Sequence, residues 1–298
     1  MNKIIPLFLT ILFLAACGGG EHLRLRADDS GKIKNHIVSY DAVEKKTTPD
    51  KFPKITVINC ADDAPIVAVL LARADAKPRT YAIEDPYIAP LIAAGLCPVF
   101  ISYDKIYEQM DFWKPSGILL PGGSFNDLHM YMKNEFEYSP KWDDLKRANA
   151  YRAMIDYSYS RRLPLLGICA GHQELGIMLG GKFLDHINVN NKINHKDING
   201  AGHDITITRG TLMHKIAGKD KIRVNTSHNA AIIPGPGPEF KVTAKSADGI
   251  IEAIEPKKPW SNFVLGVQWH PERMISDNGP APGGQKVFDA FINAVRAK

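Results

Sequence analysis

Pro164-Leu165-Leu166-Gly167-Ile168-Cys169-Ala170-Gly171-His172-Gln173 puts a thiol where a hydrophobic run gives way to helical spacing. Leu163 to Ile168 reads as a buried strand and His172 to Leu179 as the helix after it. Between them, Gly167-Ile168-Cys169-Ala170-Gly171 has the G-x-Nu-x-G spacing of a nucleophile elbow. The glycines permit a tight turn that would reject larger side chains. The turn lifts Cys169 above the sheet edge and aims the first amides of the helix at the reacting centre. Those N–H groups lack intrahelical partners and carry partial positive charge, so they favour a thiolate and then an oxyanion. A core cysteine flanked by glycines has the same five-residue pattern, so the rest of the chain must decide between the two.

A nucleophilic thiol needs a base, and the base needs an orienting group. Val267-Gln268-Trp269-His270-Pro271-Glu272 follows a hydrophobic run near the C-terminus. In extended chain His270 and Glu272 fall on one side, and Pro271 keeps its neighbourhood extended. Glu272 can then hold the imidazole in one tautomer while its other nitrogen faces Cys169. A surface His beside a surface Glu is the plain alternative. An oxyanion hole needs donors from two directions. Ala170 offers one amide, and Pro121-Gly122-Gly123, after the run Gly117 to Leu120, offers the other.

Elements alternate over the first part of the chain. Ile55 to Ile58, Pro98 to Ser102, Gly117 to Leu120 and Leu163 to Ile168 read as strands. Pro65 to Ala74, Tyr87 to Gly95, Asp143 to Arg162 and His172 to Leu179 read as helices. The alternation predicts an α/β fold, a mostly parallel central sheet with helices on both faces. After about Asp204 the pattern changes. Asp204 to Ile207 alternates, Lys241 to Lys245 and Ile250 to Ile254 suggest a hairpin around Asp248-Gly249, and Phe263 to Trp269 is a further strand. Gln285 to Ala297 closes the chain as an amphipathic helix. A small antiparallel section is therefore expected in the C-terminal half.

Together these residues resemble the class I (triad) glutamine amidotransferase superfamily, over nearly the whole chain from Lys54 onward. The resemblance rests on the Cys169 stretch, Leu179-Gly180-Gly181, and Gly266-Val267-Gln268-Trp269-His270-Pro271-Glu272. Within it the chain is most similar to the γ-glutamyl hydrolase branch, which includes γ-glutamyl-γ-aminobutyrate hydrolases. Val224-Asn225-Thr226-Ser227-His228 resembles that branch's Val-Asn-Ser-x-His, Ala247 to Ile254 its Asp-Gly-x-Ile-Glu-Ala hairpin, and Ala94 to Val99 its Ala-Gly-x-x-Pro-Val. It departs at Ala230, where the branch usually has Gln, at Ala170, often Arg, and at Arg147-Ala148, usually Arg-Asp.

The resemblance implies a flavodoxin-like three-layer fold and a role for each matching residue. Cys169 attacks the γ-carbonyl of a γ-glutamyl amide, His270 moves the proton, and Glu272 orients His270. Gly123 and Ala170 supply the oxyanion hole, and Gly122, Gln173, Ser227 and His228 line the glutamyl pocket. No cofactor is implied. His186, His195, His203 and His214 are irregularly spaced, lack a compact ligand pattern and read as loop or surface residues, so no metal site is expected.

The first residues read as an export signal. Ile4 to Ala16 is apolar but shorter than the ~20 residues that span a bilayer as a helix, and it has the length of a signal-peptide core. It ends in Leu14-Ala15-Ala16-Cys17, which resembles a bacterial lipobox. Residues 1–16 are expected to be a lipoprotein signal peptide, Cys17 the lipid-bearing residue, 17–53 a flexible tether poor in large apolar residues, and 54–298 the domain. The expected location is a bacterial membrane, with the domain facing the periplasm or cell exterior. Cys60 and Cys97 can pair in such a compartment or stay as buried thiols; both readings stand. The formal charge of +5 is spread along the chain without aromatic–basic clusters, so no nucleic-acid partner is expected.

The functional expectation is a cysteine-dependent hydrolase of γ-glutamyl amide or peptide bonds, its substrate a small molecule or peptide. Cell-wall fragments with γ-D-glutamyl links are one substrate class the location suggests. The alternatives are a glutaminase subunit supplying ammonia to a partner and a non-catalytic binding lipoprotein. Oligomeric state is left open.

Overall fold

The computed structural model describes residues 25–27, 33–38, 56–74, 80–123, 142–185, 187, 193–196, 202–275 and 281–298. The expected signal peptide, residues 1–16, and Cys17 lie outside them. Strands β1 (Leu25–Ala27), β2 (Ile33–Val38) and β3 (Thr56–Asn59) form a small antiparallel sheet. β4 (Ile66–Leu70) follows, then the hairpin β5 (Ala72–Ala74) and β6 (Thr80–Ala82). Next come α1 (Asp85–Ala93), β7 (Cys97–Ile101), α2 (Ile106–Trp113), β8 (Gly117–Leu120), α3 (Trp142–Arg161), β9 (Leu165–Ile168) and α4 (Ala170–Met178). The C-terminal part holds β10 (Gly181–Leu184), β11 (His203–Ile207), α5 (Leu212–Ala217), β12 (Lys221–Val224) and β13 (Ala231–Pro234). It ends with β14 (Phe240–Ser246), β15 (Ile251–Pro256), β16 (Val264–Val267) and α6 (Gln285–Arg296).

Nine strands make one sheet in the order β12-β11-β14-β15-β16-β9-β8-β4-β7. The pairs from β16 to β7 are parallel, and those from β12 to β16 are antiparallel. The expected antiparallel section is thus a continuation of the central sheet. Both faces of the parallel half are buried, and side chains alternate between them. Val67, Val69, Leu119, Leu166, Ile168, Leu265 and Val267 pack into one core with α1, α5 and α6. Ala68, Leu70, Ile118, Leu120, Leu165 and Val264 pack into the other with α2, α3 and α4. Burial on two faces is why these strands read as continuous apolar runs.

Two expectations are corrected. Pro65 to Ala74 is not a helix: Val67 to Leu70 are fully buried in a central strand of the sheet. The run has β-branched Ile66, Val67 and Val69, and burial on both faces erased the alternation that marks a strand. Ile55 to Ile58 is not the first strand of the parallel sheet, because Thr56–Asn59 pairs antiparallel with β2 instead. Within residues 17–53, the described pieces are β1 and β2. Ile33, Ile37 and Val38 form a short β-branched run that average composition conceals.

Cys60 and Cys97 are joined in a disulfide, their Cα atoms 5.4 Å apart. It ties the segment after β3 to the start of β7.

Candidate active site

β8, β9 and β16 are adjacent and parallel, so their carboxyl ends open on one sheet edge. Leu120 registers with Gly167, and Val267 with Ile168. Cys169 follows β9 directly. Pro121-Gly122-Gly123 follows β8 on one side, and His270 lies three residues beyond β16 on the other. Three segments far apart in sequence meet because their strands are neighbours, at the place where open α/β sheets carry their sites.

Cys169 has φ 50° and ψ −102°, outside the helical and extended regions. Such a conformation in a non-glycine residue is strained and persists only where surrounding contacts enforce it. Its N–H donates to the Val267 carbonyl at 2.8 Å, and its carbonyl accepts the Gln173 N–H at 3.0 Å. The flanking glycines are required by close approach. A Cβ on Gly167 would lie 2.7 Å from the Gly171 carbonyl oxygen, and one on Gly171 would collide with the backbone of Leu120. Ala170 is the first residue of α4. Its N–H belongs to the unpaired first turn and is placed to serve an oxyanion.

His270 Nδ1 lies 2.6 Å from Glu272 Oε1. Glu272 is buried and accepts the Nδ1 proton, which leaves Nε2 for the thiol. Asn225 clamps the backbone of His270: its side-chain oxygen accepts the His270 N–H at 2.9 Å, and its amide donates to the His270 carbonyl at 2.7 Å. Burial disfavours the imidazolium. The neighbouring Cys169 thiolate, by charge and hydrogen bond, and then Glu272 outweigh it and push His270 up to about 10. Cys169 is 2% exposed and is the free thiol among the described residues.

Tyr87, from α1, completes the group. Its hydroxyl accepts the Gly122 N–H at 3.0 Å and lies 3.4 Å from His270 Nδ1. Burial first, then the negative charges of Glu272 and Cys169, raise its pKa well above the usual phenol value, so it stays neutral. The Gly122 amide is therefore engaged by Tyr87, and Gly123 is the next donor along the strand end. Arg147, buried on α3, donates to the Gly122 carbonyl at 3.0 Å and to Tyr151 Oη at 2.8 Å.

The expected pocket residues are placed as follows. Gln173 is fully buried, and its amide donates to the Ala230 carbonyl (2.9 Å) and to Gln268 Oε1 (3.0 Å). His228 is buried with Nδ1 2.9 Å from the Ala230 carbonyl. Ser227 is half-buried between Thr226 and His228. Sequence reading missed Asn225, Tyr87 and Arg147 as site builders. The resemblance marked Asn225 and Arg147 without giving either a role, and nothing local marked Tyr87.

Of the four histidines expected in loops or at the surface, two are in the interior, His195 in a turn and His203 on β11. His195 is 0% exposed and His203 6%, and both turn toward the fully buried Glu252. Irregular spacing hid this because the residues come from separate segments that antiparallel pairing brings together. His214 is half-buried on α5, its Nε2 3.0 Å from Asp220. His186 lies outside the described residues.

Comparison with known proteins shows the family and the fold. The sequence profile of the peptidase C26 family matches residues 65–272. The chain is 31% identical to "Putative glutamine amidotransferase PB2B2.05" of Schizosaccharomyces pombe, over 70% of this chain and 81% of that one. It is 28% identical to the gamma-glutamyl-gamma-aminobutyrate hydrolase PuuD of Escherichia coli, over 77% and 93%. Among solved structures, a "putative gmp synthase subunit a protein" from Thermoplasma acidophilum superposes with a TM-score of 0.55 at 17% identity. That match covers 78% of this chain and 95% of the other, and shows a shared fold.

Proposed function

The chain belongs to the peptidase C26 family, whose class I glutamine amidotransferase-like members point to a hydrolase or amidotransferase, and we propose that it hydrolyses γ-glutamyl amide or peptide bonds through a thioester on Cys169. The observation that carries the reading is the strained Cys169 at the start of α4, beside a His270 whose Nδ1 is held by Glu272.

In the proposed reaction the Cys169 thiolate attacks the γ-carbonyl carbon and a C–S bond forms. The oxygen takes the negative charge, stabilised by the amides of Gly123 and Ala170. The intermediate collapses, the C–N bond breaks, and the His270 imidazolium gives its proton to the leaving amine. Water then attacks the thioester while His270 accepts its proton, the C–S bond breaks, and glutamate leaves as the Cys169 thiolate and His270 imidazolium are restored. Glu272 fixes the tautomer throughout. Gln173, Ser227, His228 and Gly122 are assigned to the walls of the glutamyl pocket. Gln173 acts there by holding the Ala230 carbonyl in place rather than by offering its amide.

We place the protein on the outer side of a bacterial membrane, lipidated at Cys17. The apolar run ending in Leu14-Ala15-Ala16-Cys17 supports this, as does the Cys60–Cys97 disulfide, a bond typical of oxidising compartments. No helix among the described residues is long and apolar enough to cross a membrane.

Turnover of a panel of L- and D-linked γ-glutamyl compounds, with amide, aminobutyrate and peptide leaving groups, tests the reading. Release of larger amines that disappears in Cys169→Ala supports a hydrolase. Ammonia release from glutamine alone favours a glutaminase serving a partner. No thiol-dependent cleavage by the folded protein overturns both.

A further inference from the structure

One strand beyond the catalytic strands, three imidazoles converge on a single carboxylate oxygen. Glu252 Oε1 on β15 lies 3.0 Å from His203 Nε2, 3.4 Å from His195 Nδ1 and 3.7 Å from His228 Nε2. Glu252, His195 and His228 have side chains with no solvent exposure, and that of His203 is 6% exposed. The mechanism uses neither Glu252 nor His195 nor His203.

We propose that His195, His203, His228 and Glu252 form a closed, structural site for one divalent transition-metal ion of the zinc type.

Ligand atoms about 2.0–2.1 Å from a tetrahedral ion stand about 3.3–3.4 Å from one another. The three nitrogen-to-oxygen distances bracket that edge. The facing atoms of His195, His203 and Glu252 all lie within 4.8 Å of one another, so closing these three on an ion needs a movement of about 1.5 Å at most, and His228, whose Nε2 is 3.7 Å from Glu252 Oε1, is the outermost ligand and moves in to complete the set. Two of the three outer nitrogens, those of His195 and His228, are arranged as in metal-binding histidines, which pass their other N–H to a carboxylate or a backbone carbonyl, while His203 Nδ1 is buried without a partner. His195 Nε2 is 3.0 Å from Asp248 Oδ2, and His228 Nδ1 is 2.9 Å from the Ala230 carbonyl. A backbone carbonyl only accepts, so His228 Nδ1 carries a proton and Nε2 is the nitrogen that faces the Glu252 carboxylate, 3.7 Å away.

Charge and hydrogen bonding agree. Glu252 Oε2 is buried and meets no hydrogen-bond donor, so the imidazoles on Oε1 satisfy only half of a fully buried carboxylate. Two positive charges balance Glu252 and Asp248 and leave the imidazoles neutral. The donor set of imidazole nitrogens and one carboxylate oxygen suits zinc better than calcium or magnesium. Full burial and four protein ligands leave no open position for water, which marks a structural rather than a catalytic ion.

The site would fasten the segment that positions the base. Thr226 Oγ1 and the His228 N–H both donate to the His195 carbonyl, at 2.8 and 2.7 Å. Asn225, which clamps His270, precedes Thr226 directly.

Full-length protein, purified without a histidine tag and stripped with a chelator, is titrated with Co(II). The expected result is one Co(II) per chain with the visible absorption of tetrahedral coordination, displacement by Zn(II), and a melting temperature that rises on metal addition. Cys169→Ala keeps this binding, which separates the site from the catalytic thiol. Glu252→Gln and His203→Ala abolish it, and Asp248→Asn weakens it about 10–100-fold. Should Glu252→Gln fail to fold, Asp248→Asn at the rim carries the test. Absence of Co(II) binding, binding lost in Cys169→Ala, or affinity unchanged in both His203→Ala and Asp248→Asn would overturn the proposal. None of these readouts depends on turnover, so they stand apart from the hydrolase assignment.

Discussion

Asn225 closes a two-way hydrogen-bonded clamp on the backbone of His270, 45 residues away in sequence. The clamp fixes where the imidazole starts, while Glu272 fixes how it turns. Asn225→Ala should therefore lower kcat while the fold persists, with a stability loss of about 1–3 kcal/mol for the two lost bonds. Asn225→Asp keeps the acceptor for the His270 N–H and should retain more activity than Asn225→Ala. Equal kcat in all three proteins would show that the clamp does not position the base.

Tyr87→Phe removes the hydroxyl that accepts the buried Gly122 N–H. An amide left without a partner costs about 1–3 kcal/mol. Reduced thermal stability with a fall in kcat is expected, because the loop after β8 bears the proposed oxyanion donor Gly123. A variant as stable as the parent would show that solvent or another acceptor replaces the hydroxyl.

The pH dependence follows from His270. Its folded value of about 10 lies above the unfolded value near 6.5. The stabilisation it contributes is complete below about pH 6.5 and is lost as pH rises through about 10. The same titration removes the acid that protonates the leaving amine, so kcat/KM should fall on an alkaline limb near pH 10, assigned to the coupled Cys169–His270 pair. Glu272→Gln takes away one of the charges that raise His270 and should shift that limb to lower pH. A limb that stays in place in Glu272→Gln would contradict the assignment.

Gly171→Ala drives a methyl group into the Leu120 backbone, a neighbour that cannot rotate away. Overpacking of this kind costs about 1–3 kcal/mol or more. It would also spread β8 from β9, so activity should fall further than stability. Denaturant unfolding beside turnover checks both.

Reduction or Cys60→Ser opens a loop with a sequence separation of 37. Loop-closure entropy of that length corresponds to about 4 kcal/mol, so the melting temperature should drop while the triad geometry, built from other strands, is kept. No drop would show that the bond constrains little.

The meeting of Cys169, His270 and Glu272, the half proposed to be catalytic, was legible because its parts are local. Gly167-Ile168-Cys169-Ala170-Gly171 is a single turn, and His270-Pro271-Glu272 a single extended step, so residue type and spacing carry the geometry. What was hidden is long-range. Tyr87 and Arg147 reach the site only through the packing of α1 and α3 on the sheet. His195, His203 and Glu252 meet only because β11, β14 and β15 pair as they do. Ile66 to Leu70 was misread because a strand buried on both faces loses the alternation that tells it from a helix. Neighbouring β8 and β9 escaped that error through their short length and the glycines that end them.

The most direct test of the account is intact-mass spectrometry of the full chain, acid-quenched during turnover of a γ-glutamyl substrate with a good leaving group. The account predicts a mass increase equal to one γ-glutamyl group, glutamate less water, located on Cys169 and absent from Cys169→Ala. Turnover that continues in Cys169→Ala, without any adduct on the parent protein, would contradict it.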